Sequence, residues 1–259
     1  MIAQVNTPRQ RQRFLNACRG KLCCGATLPL ALQLLGKAQP GRFFAGPTLA
    51  LDIGGRTAWA AGHANPEELA SFLNFCGCRA VILDEAVCPP PVGWQKACDH
   101  TIFGLAAGEQ LPLPAQTEAQ KALWDSLTFV EDPASGPVAE NLFPDRPARR
   151  DDFYSELCTK RSRGKALVWT LEQGGNIVCT VGAYALCNGQ AYMACGQTAE
   201  ALRGQRVGGR LIVQMANALS AQGDQPVFLC SPERVHFYTQ LGFHPLGTLA
   251  RYESPIGKD

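Results

Sequence analysis

Apolar residues recur at helical spacing after residue 206. The positions that share one helix face are Val207, Leu211, Met215 and Leu219. This spacing predicts an amphipathic helix with one buried side, because residues three or four apart lie on the same face. Gly223 marks its expected end, since glycine commonly terminates helices. A short apolar run at 226–230 predicts the buried strand that follows.

The segment before this helix has a pattern that predicts three strands in succession. The expected strands are residues 166–172, 176–181 with an extension toward Leu186, and 191–198. Gly174-Gly175 and Asn188-Gly189 separate them, and such dipeptides favour the tight turns of β-hairpins. A helix with Phe153 and Leu157 on its inner side is predicted over 151–160.

The first half of the chain contains the same kinds of element. Helices are predicted over 8–18 and 27–38, the second beginning at Thr27 with Pro29 in its first turn, and hairpin strands over 48–53 and 56–61. Asn65 as cap and Pro66 at the first position begin another helix. Strands are expected at 79–84 and 101–106, and Thr117 with Gln120 forms a capping box for a further helix.

A proline-rich stretch separates the two halves. Residues 131–150 contain four prolines, at 133, 137, 144 and 147, which makes this stretch the best linker candidate. We therefore expect an N-terminal α/β domain over 1–130 and a second domain over 151–259. Strands interspersed with helices in both halves predict the fold class α+β, that is, mixed α/β.

Composition and charge narrow the class of protein. The chain has 259 residues, 46% of them hydrophobic, and a formal net charge of +2. Because nucleic-acid binding usually requires a basic stripe, we expect no nucleic-acid partner. The chain has no apolar stretch long enough for a membrane span and begins without an apolar signal core, so we expect a cytoplasmic protein with no membrane partner.

The cysteines do not indicate a metal site. The chain has twelve of them, but Cys23-Cys24 and Cys76-x-Cys78 lack the paired spacing of zinc ligands. Cys179, Cys187, Cys195 and Cys230 lie in or beside apolar strands. We interpret the cysteines as small buried apolar residues and expect no metal.

The loop before the amphipathic helix has the chemistry of an anion-binding site. The first amides of a helix lack intrahelical acceptors and lie at the positive end of the helix dipole. Gly204, Gly208 and Gly209 allow close approach of the backbone, while Arg203, Arg206 and Arg210 supply cations. The loop is neither a Walker loop nor a dinucleotide fingerprint, because the spacing of both patterns is missing.

The loop resembles the acetyl-coenzyme A loop of the GCN5-related N-acetyltransferases, the GNAT family, whose pattern is Arg/Gln-x-x-Gly-x-Gly/Ala. Residues 203–208 match it except at Arg206, which stands where the pattern has glycine. An arginine there either crowds the pyrophosphate or, with its backbone in the helical region, points outward and adds charge. We favour the second alternative. A second stretch, 237–243, matches the closing GNAT pattern Phe-Tyr-x-x-Leu-Gly-Phe.

The resemblance implies a fold, a coenzyme and a set of site residues. It implies a central, mostly antiparallel sheet flanked by helices in the C-terminal domain, acetyl-CoA as co-substrate, and Tyr238 as the group facing the coenzyme sulfur. The expected coenzyme contacts are Gly196, Gln197, Thr198, Arg203, Gly204, Gln205, Arg206, Val207, Gly208 and Gly209. Residues 196–198 would offer backbone hydrogen bonds to the pantetheine arm.

The resemblance also implies a reaction. A primary amine of a small molecule or peptide attacks the thioester in a ternary complex, and Tyr238 protonates the departing sulfur. A general base is not identifiable, because the strand before the loop offers Cys195 and Gln197 where some relatives have a glutamate. The alternative is an acyl-CoA-binding or regulatory module without catalysis. A homodimer remains an open hypothesis.

The first half has the element order of a shortened GNAT fold, which raises the hypothesis that it is a degenerate copy. Where its coenzyme loop would fall, residues 63–68 read His-Ala-Asn-Pro-Glu-Glu. This stretch has no glycine, a proline that removes an amide donor, and two carboxylates at the helix N-terminus. We expect it to repel pyrophosphate.

Overall fold

The computed structural model describes residues 1–255, without the side chain of Cys195. The chain forms two compact units, and each is composed of more than one segment. Unit 1 comprises Met1–Phe103, Leu229–Val235 and the described part of Pro245–Asp259, whereas unit 2 comprises Gly104–Phe228 and His236–His244. Below, each helix or strand is assigned to the unit that holds most of its residues.

Unit 1 contains three helices and seven strands among the described residues. The helices are α1 (Pro8–Cys18), α2 (Cys24–Leu35) and α3 (Pro66–Phe75). The strands are β1 (Ala3–Gln4), β2 (Phe43–Ala45), β3 (Thr48–Gly54), β4 (Thr57–His63), β5 (Ala80–Leu83), β6 (Gln95–Gly104) and the C-terminal β12 (His244–Glu253). Short 3-10 helices occur at Pro40–Arg42 and Pro232–Arg234.

The sheet of unit 1 has the order β1-β2-β3-β4-β5-β12-β6. The neighbours from β1 to β4 are antiparallel, β4 and β5 are parallel, and β5 pairs antiparallel with β12. Leu69 and Leu73 of α3 are fully buried in the core formed with this sheet. The last strand of the chain therefore completes the sheet of the N-terminal unit.

Unit 2 contains five helices and five strands among the described residues. The helices are α4 (Glu118–Asp125), α5 (Ser135–Leu142), α6 (Pro147–Arg161), α7 (Val207–Ala221) and α8 (Val235–Gln240). The strands are β7 (Thr128–Val130), β8 (Leu167–Gln173), β9 (Asn176–Cys187), β10 (Gln190–Thr198) and β11 (Gln225–Cys230). Their order is β11-β10-β9-β8-β7, with one parallel pair, β10 and β11.

The structure confirms the mixed α/β class and the mostly antiparallel pairing. The predicted hairpins are present, and Asn188 and Gly189 have the positive φ angles, 54° and 70°, of their turn. The second helix differs from its prediction: it begins at Cys24 rather than Thr27, so Pro29 lies inside it. The helix follows a tight turn at Cys23, whose φ is 62°, and no glycine or other turn residue at that position predicts this turn.

The compact units divide the chain at different residues from the predicted domains of 1–130 and 151–259. The expected linker, 131–150, contains α5 and the start of α6. Val138 and Ala139 of α5 are buried, since α5 packs through them on the core of unit 2. Pro147, one of the four prolines of this stretch, occupies the first position of α6, where proline is favoured.

Candidate active site

The predicted coenzyme loop connects β10 to α7 through a short 3-10 helix, Glu200–Leu202. Gly204 has φ +76°, and Arg206, the residue before α7, has φ 61° and ψ 6°. Arg206 is thus in the left-handed region, so the expectation of a right-handed helical backbone there was wrong. A left-handed conformation costs about 1–2 kcal/mol for a side-chain-bearing residue. This explains why the pattern has glycine at this position.

The first turn of α7 approaches its surroundings closely through two glycines. No side chain caps the helix start. A Cβ at Gly208 would lie 2.4 Å from Oγ1 of Thr198, and one at Gly209 would lie 3.0 Å from Cδ2 of Leu241. The absence of a side chain at Gly208 lets the helix start lie directly against the end of β10, and Gly209 allows the close approach of Leu241. The structure therefore brings together residues 198, 208 and 209 of the predicted set.

All three arginines of the loop have hydrogen-bond partners within unit 2. Arg203 Nε donates to the Thr198 carbonyl oxygen at 3.3 Å. Arg206 donates through Nη1 to the carbonyl oxygen of Ala115. Arg203 and Arg206 are nevertheless exposed, so both cations remain in contact with solvent beside the helix start.

Arg210 binds the segment that leads into α4. Its Nη1 donates to Oε1 of Gln116 at 2.8 Å, and its guanidinium carbon lies 4.9 Å from the centre of the Trp124 ring. Nε of Arg210 and Nε2 of Gln116 are buried without an acceptor among the described residues. Sequence reasoning missed this contact, because the partners are about ninety residues apart and neither forms a motif.

The end of β10 forms the other side of the predicted site. β10 pairs with β11 at residues 190–192, whereas Gln197 and Thr198 pair with β9 on the opposite side. Gly196 and Gln197 are exposed. The Gln197 side chain donates to the Asn141 carbonyl oxygen at 3.2 Å, which links β10 to α5.

Thr198 also contacts a buried thiol. Its Oγ1 lies 3.4 Å from Sγ of Cys179. Burial raises the pKa of the Cys179 thiol, although the hydrogen bond with Thr198 partly offsets this effect. The buried, protonated state of Cys179 agrees with the expectation that the cysteines in the strands are packing residues.

Tyr238 lies on α8, within a cluster of aromatic rings. Its ring packs on Phe228 with 4.6 Å between ring centroids, and Phe237 and Phe243 lie at 5.0 and 6.3 Å. The neighbouring Phe237 would be 3.7 Å from a Cβ at Gly209. The two motifs are thus adjacent in space, although about thirty residues separate them in sequence.

Val207 and Gln205, two further residues of the predicted set, differ in their exposure. The Val207 side chain is fully buried in the core of unit 2, so only its peptide group is available. Gln205 is exposed, and its amide donates to the Leu202 carbonyl oxygen at 3.4 Å. Within residues 1–255 no group of three or more His, Cys, Asp or Glu side chains has the arrangement of a metal site.

The arrangement suits an anion with an extended tail. Free amides at a helix N-terminus, close-approach glycines and nearby guanidinium groups bind phosphate groups well. The exposed end of β10 leads away from them, and Phe237, the sequence neighbour of Tyr238, packs against the same helix turn. No described helix is both long and apolar enough to cross a membrane.

No protein-family model and no curated protein matches this chain. Solved structures do match. A tandem GNAT protein from the clavulanic acid biosynthesis pathway is 13% identical with a TM-score of 0.63, and the match covers 100% of this chain and 99% of that chain. A GCN5-related N-acetyltransferase from Sphaerobacter thermophilus is also 13% identical, with a TM-score of 0.63 over 97% of this chain and 94% of that one.

A third match is a GCN5-related N-acetyltransferase from Kribbella flavida, with 16% identity, a TM-score of 0.60, and coverage of 90% of this chain and 96% of that chain. The chain therefore has the GNAT fold. The tandem match includes the N-terminal half, which agrees with the hypothesis of a GNAT-like copy there. At identities this low, the structural similarity shows the fold alone and does not assign an activity.

Proposed function

We propose that unit 2 is an N-acetyltransferase that uses acetyl-CoA as donor and a primary amine as acceptor. The observation that carries the proposal is the adjacency of the two motifs: Gly209 in the first turn of α7 packs against Phe237 and Leu241 of the segment that contains Tyr238. The pyrophosphate would bind the amides of residues 207–209, and the pantetheine arm would follow the β10 edge at 196–198. The thioester would then end near Tyr238.

The proposed reaction is a direct transfer. The amine nitrogen forms a bond to the thioester carbonyl carbon, and the carbon–sulfur bond breaks. Tyr238 donates its hydroxyl proton to the leaving sulfur, while the amine loses a proton to water, and solvent reprotonates the phenolate. Phenols are protonated at neutral pH, which suits a general acid toward a thiolate. The acceptor class is a small-molecule or peptide amine.

A second candidate is a coenzyme-binding module without turnover. The observation that favours it is the engagement of the loop arginines: Arg206 binds Ala115, and Arg210 binds Gln116 and Trp124. Because Arg203 also donates to the Thr198 carbonyl oxygen, all three cations of the loop already have protein partners. A module of this kind would bind the coenzyme and transmit the binding through the segment that contains α4.

Binding is tested by calorimetric titration of the full chain with acetyl-CoA, with desulfo-CoA and ATP as comparison ligands. We expect micromolar, coenzyme-selective binding with one site per chain, because the residues expected to bind the coenzyme occur once, in unit 2. ATP should bind at least about tenfold more weakly, a difference of about 1.4 kcal/mol. Absence of coenzyme binding would reject both candidates.

Turnover separates the two candidates. In an acetyl-CoA assay with a panel of primary amines, Tyr238→Phe should lower kcat by about 100-fold, within the range of general acid catalysis, and leave coenzyme affinity unchanged. Tyr154→Phe is the matched control, because Tyr154 is an exposed tyrosine of the same unit. Coenzyme binding without turnover for any amine would favour the binding module.

A further inference from the structure

Unit 1 contains a cavity of about 470 Å³ that the proposed reaction does not use. It lies where β4 and β5 diverge: these parallel strands pair at residues 57–59 and 80–82, and residues 60–62 and 84–87 line the cavity. Ligands of α/β proteins commonly bind at the carboxyl ends of parallel strands. The volume lies within the range of about 300–1,000 Å³ that is usual for small-molecule sites.

The lining is mostly apolar, with charge contributed by three side chains. The apolar part includes Leu22, Cys24, Val87, Ile102, Leu246 and Leu249. The charged side chains are Lys21, Asp84 and Glu85. Lys96, outside the lining, pairs with both Glu85 and Asp99. With these two neighbours counted, three carboxylates and two ammonium groups leave one negative charge, so a ligand with one positive charge balances the site.

The two carboxylates differ in their partners. Glu85 binds Nζ of Lys96 at 2.6 Å and accepts a hydrogen bond from the Tyr252 hydroxyl. These contacts lower the pKa of Glu85, with the hydrogen bond from Lys96 as the largest cause. The Asp84 carboxylate accepts a hydrogen bond from the backbone amide of Ala86 at 3.0 Å. It takes part in none of the ion pairs formed by residues 1–255. Asp84 is therefore the carboxylate available to a ligand.

The wall beside Asp84 contains a strained turn. Cys23 has φ 62° and ψ −60°, and the amide of Cys24 donates to the Leu22 carbonyl oxygen at 2.7 Å, which is the geometry of a rare γ-turn. Cys23 is fully buried. Strained backbone persists where the surroundings impose it, and it is concentrated at functional sites.

The start of α3 lacks the features of a phosphate site. Asn65 caps the helix by accepting the Glu68 amide at 2.9 Å, and Glu67 and Glu68 place two carboxylates in the first turn. Phosphate binding is disfavoured by this charge.

We propose that the cavity of unit 1 binds a small ammonium compound with an apolar body, whose cationic head pairs with Asp84.

The test is calorimetric titration of the full chain with benzylamine, benzyl alcohol and benzoate, which share a ring and differ in charge. We expect benzylamine to bind at least about tenfold more tightly than the other two. Asp84→Asn keeps an oxygen acceptor for the Ala86 amide and should abolish this preference. Glu67→Gln is the matched control, because it removes an exposed carboxylate of the same unit outside the cavity lining, and it should leave the preference intact.

Equal affinity for the three compounds, no detectable benzylamine binding, or an unchanged preference in Asp84→Asn would overturn the proposal. Hydrogen exchange on the unmodified chain locates the ligand without a variant. Benzylamine should protect amides in residues 60–62 and 84–88. Protection confined to residues 196–214 or 236–243 would instead assign the amine to unit 2 and contradict the proposal. Neither outcome depends on acetyl-CoA turnover.

Discussion

The starts of α3 and α7 occupy equivalent places in the two units. Each helix follows the second strand of a hairpin and leads into a parallel strand beside it. The parallel pairs even have the same extent, three residues at 57–59 with 80–82 and three at 190–192 with 225–227. The backbone connectivity at these two places is the same.

The chemistry at the two helix starts is opposite. α3 has a side-chain cap, a proline at its first position and two acids in its first turn. α7 has no side-chain cap, a left-handed arginine before it and two glycines in its first turn. Capping satisfies the amides internally, whereas the uncapped start leaves them for a ligand. One backbone connectivity therefore carries opposite capping and charge in the two units, decided by about six residues at a helix start.

The largest expected effect comes from making α7 resemble α3. Gly208→Glu places a carboxylate at the predicted pyrophosphate site and a Cβ near Thr198. We expect acetyl-CoA affinity to fall at least about 100-fold, or about 2.7 kcal/mol, in calorimetric titration. Gly208→Ala is the control, because it adds the Cβ without the charge, and it should lose much less. Similar losses in both variants would show that space, and not charge, distinguishes the two helix starts.

A smaller effect is expected from removing the cap of α3. Asn65→Ala leaves the Glu68 amide without its side-chain acceptor, and should lower the free energy of unfolding by about 1 kcal/mol in urea titration. Asn65→Gly should lose only a few tenths of a kcal/mol, because glycine is a tolerated cap. Equal losses for both variants would mean that the cap contributes little to unit 1.

At residue 206, the backbone conformation decides whether an alanine or a glycine variant is the more stable. Arg206→Ala loses the bond to Ala115 and keeps a side chain at φ 61°, whereas Arg206→Gly removes the left-handed strain. We expect the glycine variant to be more stable than the alanine variant by about 1 kcal/mol, as measured by urea unfolding. The opposite order would indicate that residue 206 is not left-handed in solution.

A further effect concerns buried thiols of unit 1 and is expected only at high pH. Burial raises the pKa of Cys88 from 9.0 to about 11 and that of Cys24 to about 12. The folded state then holds these protons more tightly, so their contribution is fully present below pH 9.0 and is lost as the pH rises through the folded values. Between about pH 9 and pH 11, unfolding free energy should fall less steeply in Cys88→Ala than in the wild type.

Urea titrations at several pH values across this window measure the slopes. If the unfolding free energy fell equally steeply with pH in both proteins, the buried Cys88 thiol would not be the cause of the fall. One thiol cannot lower the unfolding free energy by more than about 1.4 kcal/mol per pH unit.

Local patterns determined much of the secondary structure. The helices at 8–18 and 66–75, the capping box at Thr117 and the Asn188-Gly189 turn follow from residues close in sequence, and the structure has each of them. Helix caps and hairpin turns are decided by interactions over a few residues, which is why a single sequence reveals them.

The candidate site was also largely predictable, because both of its motifs are short and contiguous. The sequence alone indicated residues 203–209 and Tyr238, and the structure brings the start of α7 and the α8 segment together. The left-handed backbone of Arg206 and the contacts of Arg206 and Arg210 with the segment at 115–124 were not predictable. They depend on partners about ninety residues away, and no local pattern encodes such a partner.

The place of β12 in the sheet and the cavity of unit 1 both depend on long-range packing. β12 pairs with β5 about 170 residues earlier, and the cavity combines residues from five separate stretches of unit 1. Any buried strand with suitable alternation could occupy that place in the sheet, so the choice depends on the free energy of the whole fold. Helix starts, turns and the charge around them can instead be read from the sequence, because interactions between neighbouring residues fix them.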